Sequence, residues 1–155
     1  MSEKKLKVPY RSQWDSDAKD HSADCGPTSV AMLLNGKRVA ITPDELYAYI
    51  GVRPKFTYIP DLKNAAWGAG QLTLTYKAYA NSSQALHELR KNIDNGHAFI
   101  ALVKYKPWVK ITGNQFEFGH FLVVTGYDDN HVFVHDPLFG WWAPRSRGEY
   151  FRFTN

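Results

Sequence analysis

Cysteine is nearly absent from this sequence: Cys25 is the only one among 155 residues. A single cysteine excludes an internal disulfide framework, so the fold must rest on packing. Long apolar runs are absent too, and none approaches the roughly 18 residues that a membrane-spanning helix needs. The polar start is not followed by the apolar core of a signal peptide. We therefore expect a soluble chain, either cytoplasmic or a domain of an exported protein.

The sequence also has only a small excess of positive over negative charge. The net charge is +4, and the basic residues are scattered except for a cluster at Lys4, Lys5 and Lys7. We interpret this cluster as part of a solvated, flexible tail over residues 1–7, and we predict no nucleic-acid partner. The length and the 44% hydrophobic content fit one globular domain spanning residues 1–155, and no internal repeat is visible.

Apolar periodicity and end signals predict four helices and a sheet. The helices are expected over 26–35 with Gly36 as C-cap, from Thr42 to Gly51, over 61–67, and from Ser82 or Ser83 to Gly96. Strands are expected over 72–79, 98–103, 121–127, 131–135 and 150–153. The order predicts an α+β fold in which N-terminal helices pack against a C-terminal antiparallel β-sheet.

The first helix places Cys25 at its N-terminus. Pro27 suits the first turn, and the apolar stripe begins at Val30. A thiol in this position is near the positive end of the helix dipole, which favours the nucleophilic thiolate form. The alternative is that Cys25 is a small buried apolar residue, which is the usual role of a free cysteine.

A partner for the thiol is predicted in the second half of the chain. His120 begins one strand and Asp136 follows the next, and folding the hairpin about Asp128 sets the two opposite each other. Asp136 would then fix the tautomer of His120, whose other nitrogen would face Cys25. The alternative is an ordinary polar cross-strand pair. His131 and His135 lie about 13 Å apart if they share a strand, so we predict no metal site.

Four sequence blocks resemble papain-like cysteine peptidases related to the double-glycine leader peptidases of bacteriocin transporters. They are Gln13-Trp14, the segment 24–32 beginning Asp-Cys-Gly-Pro, the segment 119–128 beginning Gly-His-Phe, and 134–137, Val-His-Asp-Pro. The resemblance implies a papain-like fold without a cofactor. It also implies that Cys25 is the nucleophile, His120 the general base and acid, and Asp136 the orienting acid. Gln13 would be the side-chain donor to the oxyanion.

Two departures point to a stand-alone branch of that family. Ser29 occupies the position where the leader peptidases usually have a second cysteine. Those peptidases also usually precede a membrane transporter, which we do not expect for this domain. We expect a thiol hydrolase of peptide or isopeptide bonds. An acyl transferase using the same residues, or a silent module that binds a peptide or a cell-wall fragment, remains open. Substrate contacts are predicted for Trp14, Trp108, Gly119 and Trp141, although the aromatic residues could instead serve core packing.

Overall fold

The computed structural model describes residues 3–15, 23–51, 56–104, 119–141 and 143–154. The described elements follow in chain order: β1 (Lys4–Lys5), α1 (Cys25–Gly36), α2 (Pro43–Ile50), α3 (Ile59–Gly70), α4 (Ser82–Asp94), β2 (Phe99–Val103), β3 (His120–Tyr127), β4 (His131–His135), a 3₁₀ helix (Arg145–Gly148) and β5 (Phe151–Thr154). Within these ranges, no helix has both the length and the apolar character needed to cross a membrane.

Strand β3 is the centre of an antiparallel sheet. Along one edge it pairs with β1 and β2, and along the other with β4, which in turn pairs with β5. Every residue of β3 is buried. Since successive side chains of a strand point to opposite faces, a fully buried strand must be covered on both faces.

The helices provide that cover. Phe121 packs in a core cluster with α1, α2 and α3, whereas Leu122 and Val124 pack in a second cluster with residues of α4. Val123 joins a third cluster with Met32 and Leu33 of α1. The predicted arrangement of N-terminal helices against an antiparallel sheet is therefore present, and α4 adds a layer on the opposite face.

The helix ends follow the sequence signals in part. At the start of α2, the side chains of Thr42 and Glu45 each accept the other's backbone N–H, and Gly51 ends the helix in the left-handed region. The predicted cap at Gly36 is wrong, because Gly36 is the last residue of α1 and the left-handed residue is Arg38. Helix α3 begins two residues earlier than predicted and continues through Gly68 to Gly70.

Two further expectations are wrong. Residues 72–79 form no ladder with any described residue; Leu72 and Leu74 instead pack at the edge of the core clusters that contain α1. The alternation of apolar and polar residues in this segment therefore reflects burial of the two leucines against a helix. The expected tail does not hold for residues 4 and 5, because Lys4 pairs with Tyr127 and its ammonium lies 2.6 Å from Asp94.

Candidate active site

Cys25 is the first residue of α1, and only 5% of its surface is exposed. The Thr28 N–H bonds to the Asp24 carbonyl oxygen at 2.9 Å, and Pro27 has no N–H to donate. The N–H groups of Cys25 and Gly26 have no acceptor within the helix, because they belong to its first turn. This helix end favours negative charge, so it suits both a thiolate and the oxyanion that a thiolate would create.

Gly26 lets the chain close over the start of α1. A Cβ at this position would overlap the Thr57 hydroxyl and would lie 2.9 Å from the Leu62 side chain. Thr57 precedes α3 and is buried, so the segment leading into α3 covers the residue next to the thiol. Only glycine leaves room for this contact, which gives the Cys-Gly pair a steric explanation.

His120 and Asp136 are in contact. Nε2 of His120 lies 2.7 Å from Oδ1 of Asp136, and neither side chain has any exposed surface. A carboxylate can only accept, so Nε2 donates and Nδ1 is left for the thiol. The structure therefore brings together the two residues that the hairpin argument paired.

The register behind that argument is wrong by two residues. Symmetry about Asp128 would pair Val123 with Phe133, but Val123 pairs with His135, and a bulge lies between Val124 and Gly126. The turn and the bulge together explain the shift: Tyr127 pairs with Val132, three residues beyond its symmetric partner, and the bulge takes one residue back. Asp128 is its first residue rather than its centre, because its backbone N–H bonds to the His131 carbonyl oxygen and its carboxylate accepts from the N–H groups of residues 130 and 131. Asp136 therefore reaches His120 diagonally from beyond the end of β4.

The surroundings of His120 favour its charged form. Burial is the largest single influence and lowers the pKa, but the charge and hydrogen bond of Asp136 act in the opposite direction. A hydrogen bond with the Cys25 thiol and the charge of a thiolate raise it further, and the net effect is a pKa raised to about 10. An imidazolium between a carboxylate and a thiol is thereby stabilised at neutral pH.

The backbone of Asp136 is fixed on both sides. Its N–H donates to the Gly148 carbonyl oxygen at 2.8 Å, and its carbonyl oxygen accepts from the Tyr10 hydroxyl at 2.7 Å. The carboxylate also accepts the Leu138 N–H at 2.9 Å. These bonds leave the carboxylate little freedom to turn away from the imidazole. Tyr10 and Gly148 were not predicted, since nothing in their local sequence indicates a contact with a residue so distant along the chain.

Gln13 is fully buried in a turn that lies on the segment following Asp136. Its N–H donates to the Pro137 carbonyl oxygen at 2.7 Å. On either side, the Ser12 hydroxyl donates to the Phe139 carbonyl oxygen at 2.5 Å, and the Trp14 indole N–H donates to the Leu138 carbonyl oxygen at 3.0 Å. The segments that carry Gln13 and Asp136 thus form one hydrogen-bonded unit.

The predicted substrate contacts lie in different surroundings. The Trp14 and Trp141 rings are 5.2 Å apart and tilted by 32°, and Trp141 is 58% exposed. Gly119 is exposed and directly precedes His120. Trp108 lies outside the described residues. The aromatic pair adjoins the Gln13 turn, so it presents an apolar surface beside the candidate site.

Two buried polar contacts next to site residues were also missed. Asp24, directly before Cys25, accepts the hydroxyl of Tyr47 in α2 at 2.5 Å. His135, directly before Asp136, lies between the Val8 carbonyl oxygen at 2.7 Å from Nε2 and the Tyr150 N–H at 3.0 Å from Nδ1. Neither contact could be predicted from the local sequence, because the partners are distant along the chain.

Several solved structures are similar to this chain, among them two peptidase structures. The peptidase domain of Streptococcus ComA, a bifunctional ABC transporter involved in quorum sensing, aligns with a TM-score of 0.64 and 20% identity, over 96% of this chain and 86% of the domain. A Bacillus anthracis protein described as a C39-like peptidase aligns with a TM-score of 0.60 and 20% identity, over 97% of this chain and 92% of its own. At this identity the likeness concerns the fold, and it confirms the prediction of a papain-like peptidase architecture.

Sequence comparison agrees with the structural one. The model of the family described as "Peptidase_C39 like family" matches residues 5–150. No curated protein sequence matches the chain. The matched region includes every candidate site residue, from the Gln13 turn to the segment that contains Asp136.

Proposed function

Because the chain belongs to the Peptidase_C39-like family, we propose that it is a cysteine peptidase that hydrolyses peptide or isopeptide bonds. Cys25 is the nucleophile, His120 the general base and acid, and Asp136 the residue that orients the imidazole. Gln13 is the proposed side-chain donor to the oxyanion, together with the backbone N–H of Cys25. No cofactor takes part in this chemistry.

The observation that carries the proposal is the position of His120. One ring nitrogen lies 2.7 Å from a fully buried carboxylate, and the other is left for a thiol at a helix N-terminus. An ordinary polar cross-strand pair has no reason to adjoin a thiol. The pKa of His120, raised to about 10 by Asp136 and Cys25 against the effect of burial, supports a thiolate and imidazolium pair.

The reaction then follows from these residues. The Cys25 thiolate bonds to the amide carbon, and the carbonyl electron pair moves to the oxygen, which the helix N-terminus and Gln13 stabilise. The imidazolium of His120 gives its proton to the amine, which leaves as the C–N bond breaks and a thioester remains. Neutral His120 next takes a proton from water, whose oxygen attacks the thioester. The C–S bond then breaks and Cys25 leaves as a thiolate, while His120 keeps the proton from water, which restores the thiolate and imidazolium pair.

Trp14 and Trp141 suggest where a substrate would lie. Trp14 adjoins Gln13 in sequence, and the exposed Trp141 ring packs beside it. We assign this pair to an apolar wall that contacts a residue close to the bond that is cleaved. Gly119 is exposed next to His120 and leaves space for the substrate backbone on that side.

Thiol reactivity provides the first test. At about pH 6 an ordinary thiol is protonated and reacts slowly with iodoacetamide, whereas a thiolate paired with an imidazolium reacts fast. We expect rapid labelling of Cys25, slow labelling in His120→Ala and none in Cys25→Ala. The exposed His87 provides the control, because His87→Ala should label like the parent. Slow labelling of the parent protein would favour a silent binding module.

Substrate class requires a second test. A peptide library incubated with the protein and analysed by mass spectrometry should contain cleaved products, which Cys25→Ala should not produce. Adding a primary amine such as lysine methyl ester separates the two possible fates of the thioester. If the products are mainly amides of the added amine rather than free carboxylic acids, the protein is an acyl transferase and not a peptidase.

A further inference from the structure

Arg145 holds the turn that carries Gln13, and we propose that it is a positioning residue for the oxyanion donor. Its guanidinium binds both carboxylate oxygens of Asp15, Nε to Oδ1 at 2.6 Å and a terminal nitrogen to Oδ2 at 2.9 Å. This inference rests on the proposed function, since it concerns the same site. It assigns a catalytic effect to a residue that lies outside the catalytic group itself.

The turn is closed by reciprocal bonds at its two ends. The Asp15 N–H donates to the Ser12 carbonyl oxygen at 3.2 Å, and the Ser12 N–H donates to Oδ2 of Asp15 at 3.1 Å. Gln13 and Trp14 are the two central residues. The oxygen that accepts the Ser12 N–H is the one that the Arg145 terminal nitrogen also contacts, so the guanidinium fixes the carboxylate that closes the turn.

Arg145 also connects this turn to the support of Asp136. Its guanidinium carbon lies 5.0 Å from the centre of the Tyr10 ring, whose hydroxyl donates to the Asp136 carbonyl oxygen. The far side of the turn is attached to residues 137–139 by the backbone and side-chain bonds described above. The 3₁₀ helix that begins at Arg145 therefore fixes the near side, and together the two attachments restrict rotation of the Gln13 segment.

A close steric contact also restricts the side of the turn that is bonded to residues 137–139. Gly140 has a φ of +120°, and a Cβ there would lie 2.7 Å from the Ser12 hydroxyl oxygen. Because the two segments are in such close contact, Ser12 cannot move further toward Gly140. Loss of the Arg145 contact would therefore let the turn pivot about Ser12, which moves the adjacent Gln13.

The expected effect on stability is small and the effect on rate is larger. Half of the Arg145 side chain is exposed, and exposed ion pairs typically contribute about 0–1 kcal/mol. The fold should therefore survive Arg145→Ala. A displacement of about 1 Å in a group that stabilises a transition state can cost up to about 10²-fold in rate.

Two reactions of the Cys25 thiol distinguish a displaced oxyanion donor from a disrupted triad or fold. With p-nitrophenyl acetate, the thiolate bonds to the carbonyl carbon, an oxyanion forms, and p-nitrophenolate leaves with the electron pair, which gives an acetyl thioester on Cys25. With iodoacetamide, the thiolate displaces iodide from carbon and no oxyanion forms. A defect in the oxyanion donor slows only the first reaction, whereas a damaged triad or fold slows both.

We expect Gln13→Ala to slow acetylation about 10²-fold and Arg145→Ala roughly tenfold. Alkylation by iodoacetamide should stay within about twofold of the parent for both. Adding Arg145→Ala to Gln13→Ala should slow acetylation no further. Arg145→Lys should recover only part of the rate, since an ammonium cannot bind both oxygens in the same way. Arg152→Ala, which removes an exposed arginine of β5, is the charge control and should behave like the parent.

Several outcomes would overturn the inference. Equal slowing of acetylation and alkylation by Arg145→Ala would mean that the residue acts through the triad or the fold. Independent effects of Arg145→Ala and Gln13→Ala, or no effect of either, would mean that Arg145 does not act through Gln13. A parent protein that reacts slowly with both reagents would instead refute the proposed function itself.

Discussion

Gly148 packs so closely on Asp136 that a Cβ on the glycine would lie 2.5 Å from the Asp136 carbonyl oxygen. It would also overlap the Tyr10 hydroxyl that donates to the same oxygen. The glycine is therefore required for space rather than for its backbone conformation. Any side chain at this position must displace the backbone from which the His120 partner projects.

The first prediction concerns this contact. Gly148→Ala should reduce the free energy of unfolding by about 1–3 kcal/mol and lower turnover, because Tyr10 or Asp136 must move. Gly36→Ala is the matched control, since its Cβ would meet only ordinary contacts with Val8 and Pro9 at 3.9 Å. Thermal melting and turnover of both variants provide the measurement. Equal behaviour of the two variants would show that the Asp136 backbone tolerates displacement.

The second prediction separates the carboxylates of the β3–β4 hairpin. Asp136→Asn should lower turnover by about 10⁴-fold, because the amide cannot impose the same tautomer on His120. Asp128→Asn should retain most of the activity, since asparagine can accept the same N–H groups of residues 130 and 131 in the turn. Turnover should be measured beside melting curves. An Asp136→Asn protein with near-normal turnover would exclude Asp136 as the orienting residue.

The third prediction is the alkaline limit of activity. Asp136 and Cys25 outweigh burial and raise the pKa of His120 to about 10, against an ordinary value of about 6.5. The imidazolium that is proposed to protonate the leaving amine therefore persists well above neutral pH. Hydrolysis of a peptide substrate should decline only as the pH approaches the raised value. A decline centred near pH 6.5 would show that His120 lacks these partners during catalysis.

The same shift affects stability in a defined window. Below pH 6.5 His120 is charged in both the folded and the unfolded chain, and its full stabilising contribution is present. Between 6.5 and about 10 the unfolded chain loses its proton first, so the contribution is lost as the pH rises.

The fourth prediction concerns His135, whose effect on the pH dependence of stability is opposite to that of His120. Burial lowers its pKa, although the Val8 carbonyl and Glu149 favour the charged form. Neutral His135 is also required by the Tyr150 N–H, which donates to Nδ1. As the pH falls below about 6.5 the unfolded chain binds a proton that the folded chain excludes, so the free energy of unfolding decreases.

His135→Leu tests this effect. The variant should be less stable at neutral pH, because the Val8 carbonyl and the Tyr150 N–H lose their partner. Its stability should nevertheless change less than that of the parent between about pH 7 and pH 5. Urea unfolding across that interval compares the two slopes. Identical slopes would assign the acid sensitivity to other groups.

Part of the site could be predicted from sequence because it depends on local features. The position of Cys25 follows from a helix start that Pro27 and the apolar stripe mark clearly. The contact between His120 and Asp136 was predicted although the register was wrong by two residues. Residues that are diagonal neighbours across a ladder can still touch through their side chains. The predicted contact between His120 and Asp136 therefore held although the predicted register did not.

The remaining features depend on contacts between distant segments. Leu72 and Leu74 alternate with polar residues as in a strand, yet they pack against a helix, and periodicity alone cannot distinguish a sheet neighbour from a helix neighbour. The contact between Asp15 and Arg145 joins residues far apart in sequence. The register of β3 and β4 depends both on the bulge between Val124 and Gly126 and on a turn whose first residue could be located only once its hydrogen bonds were known.

The long span of these contacts has a consequence for how the protein is made. During synthesis, Gln13, Cys25 and His120 emerge well before Gly148 and Arg145, which complete the bonds around Asp136 and Asp15. Contacts of such large sequence separation form late, because the chain must close a long loop first. A nascent chain therefore carries its thiol without the surroundings that we propose activate it. This order of assembly would delay the proposed proteolytic activity until translation has passed the last of these residues.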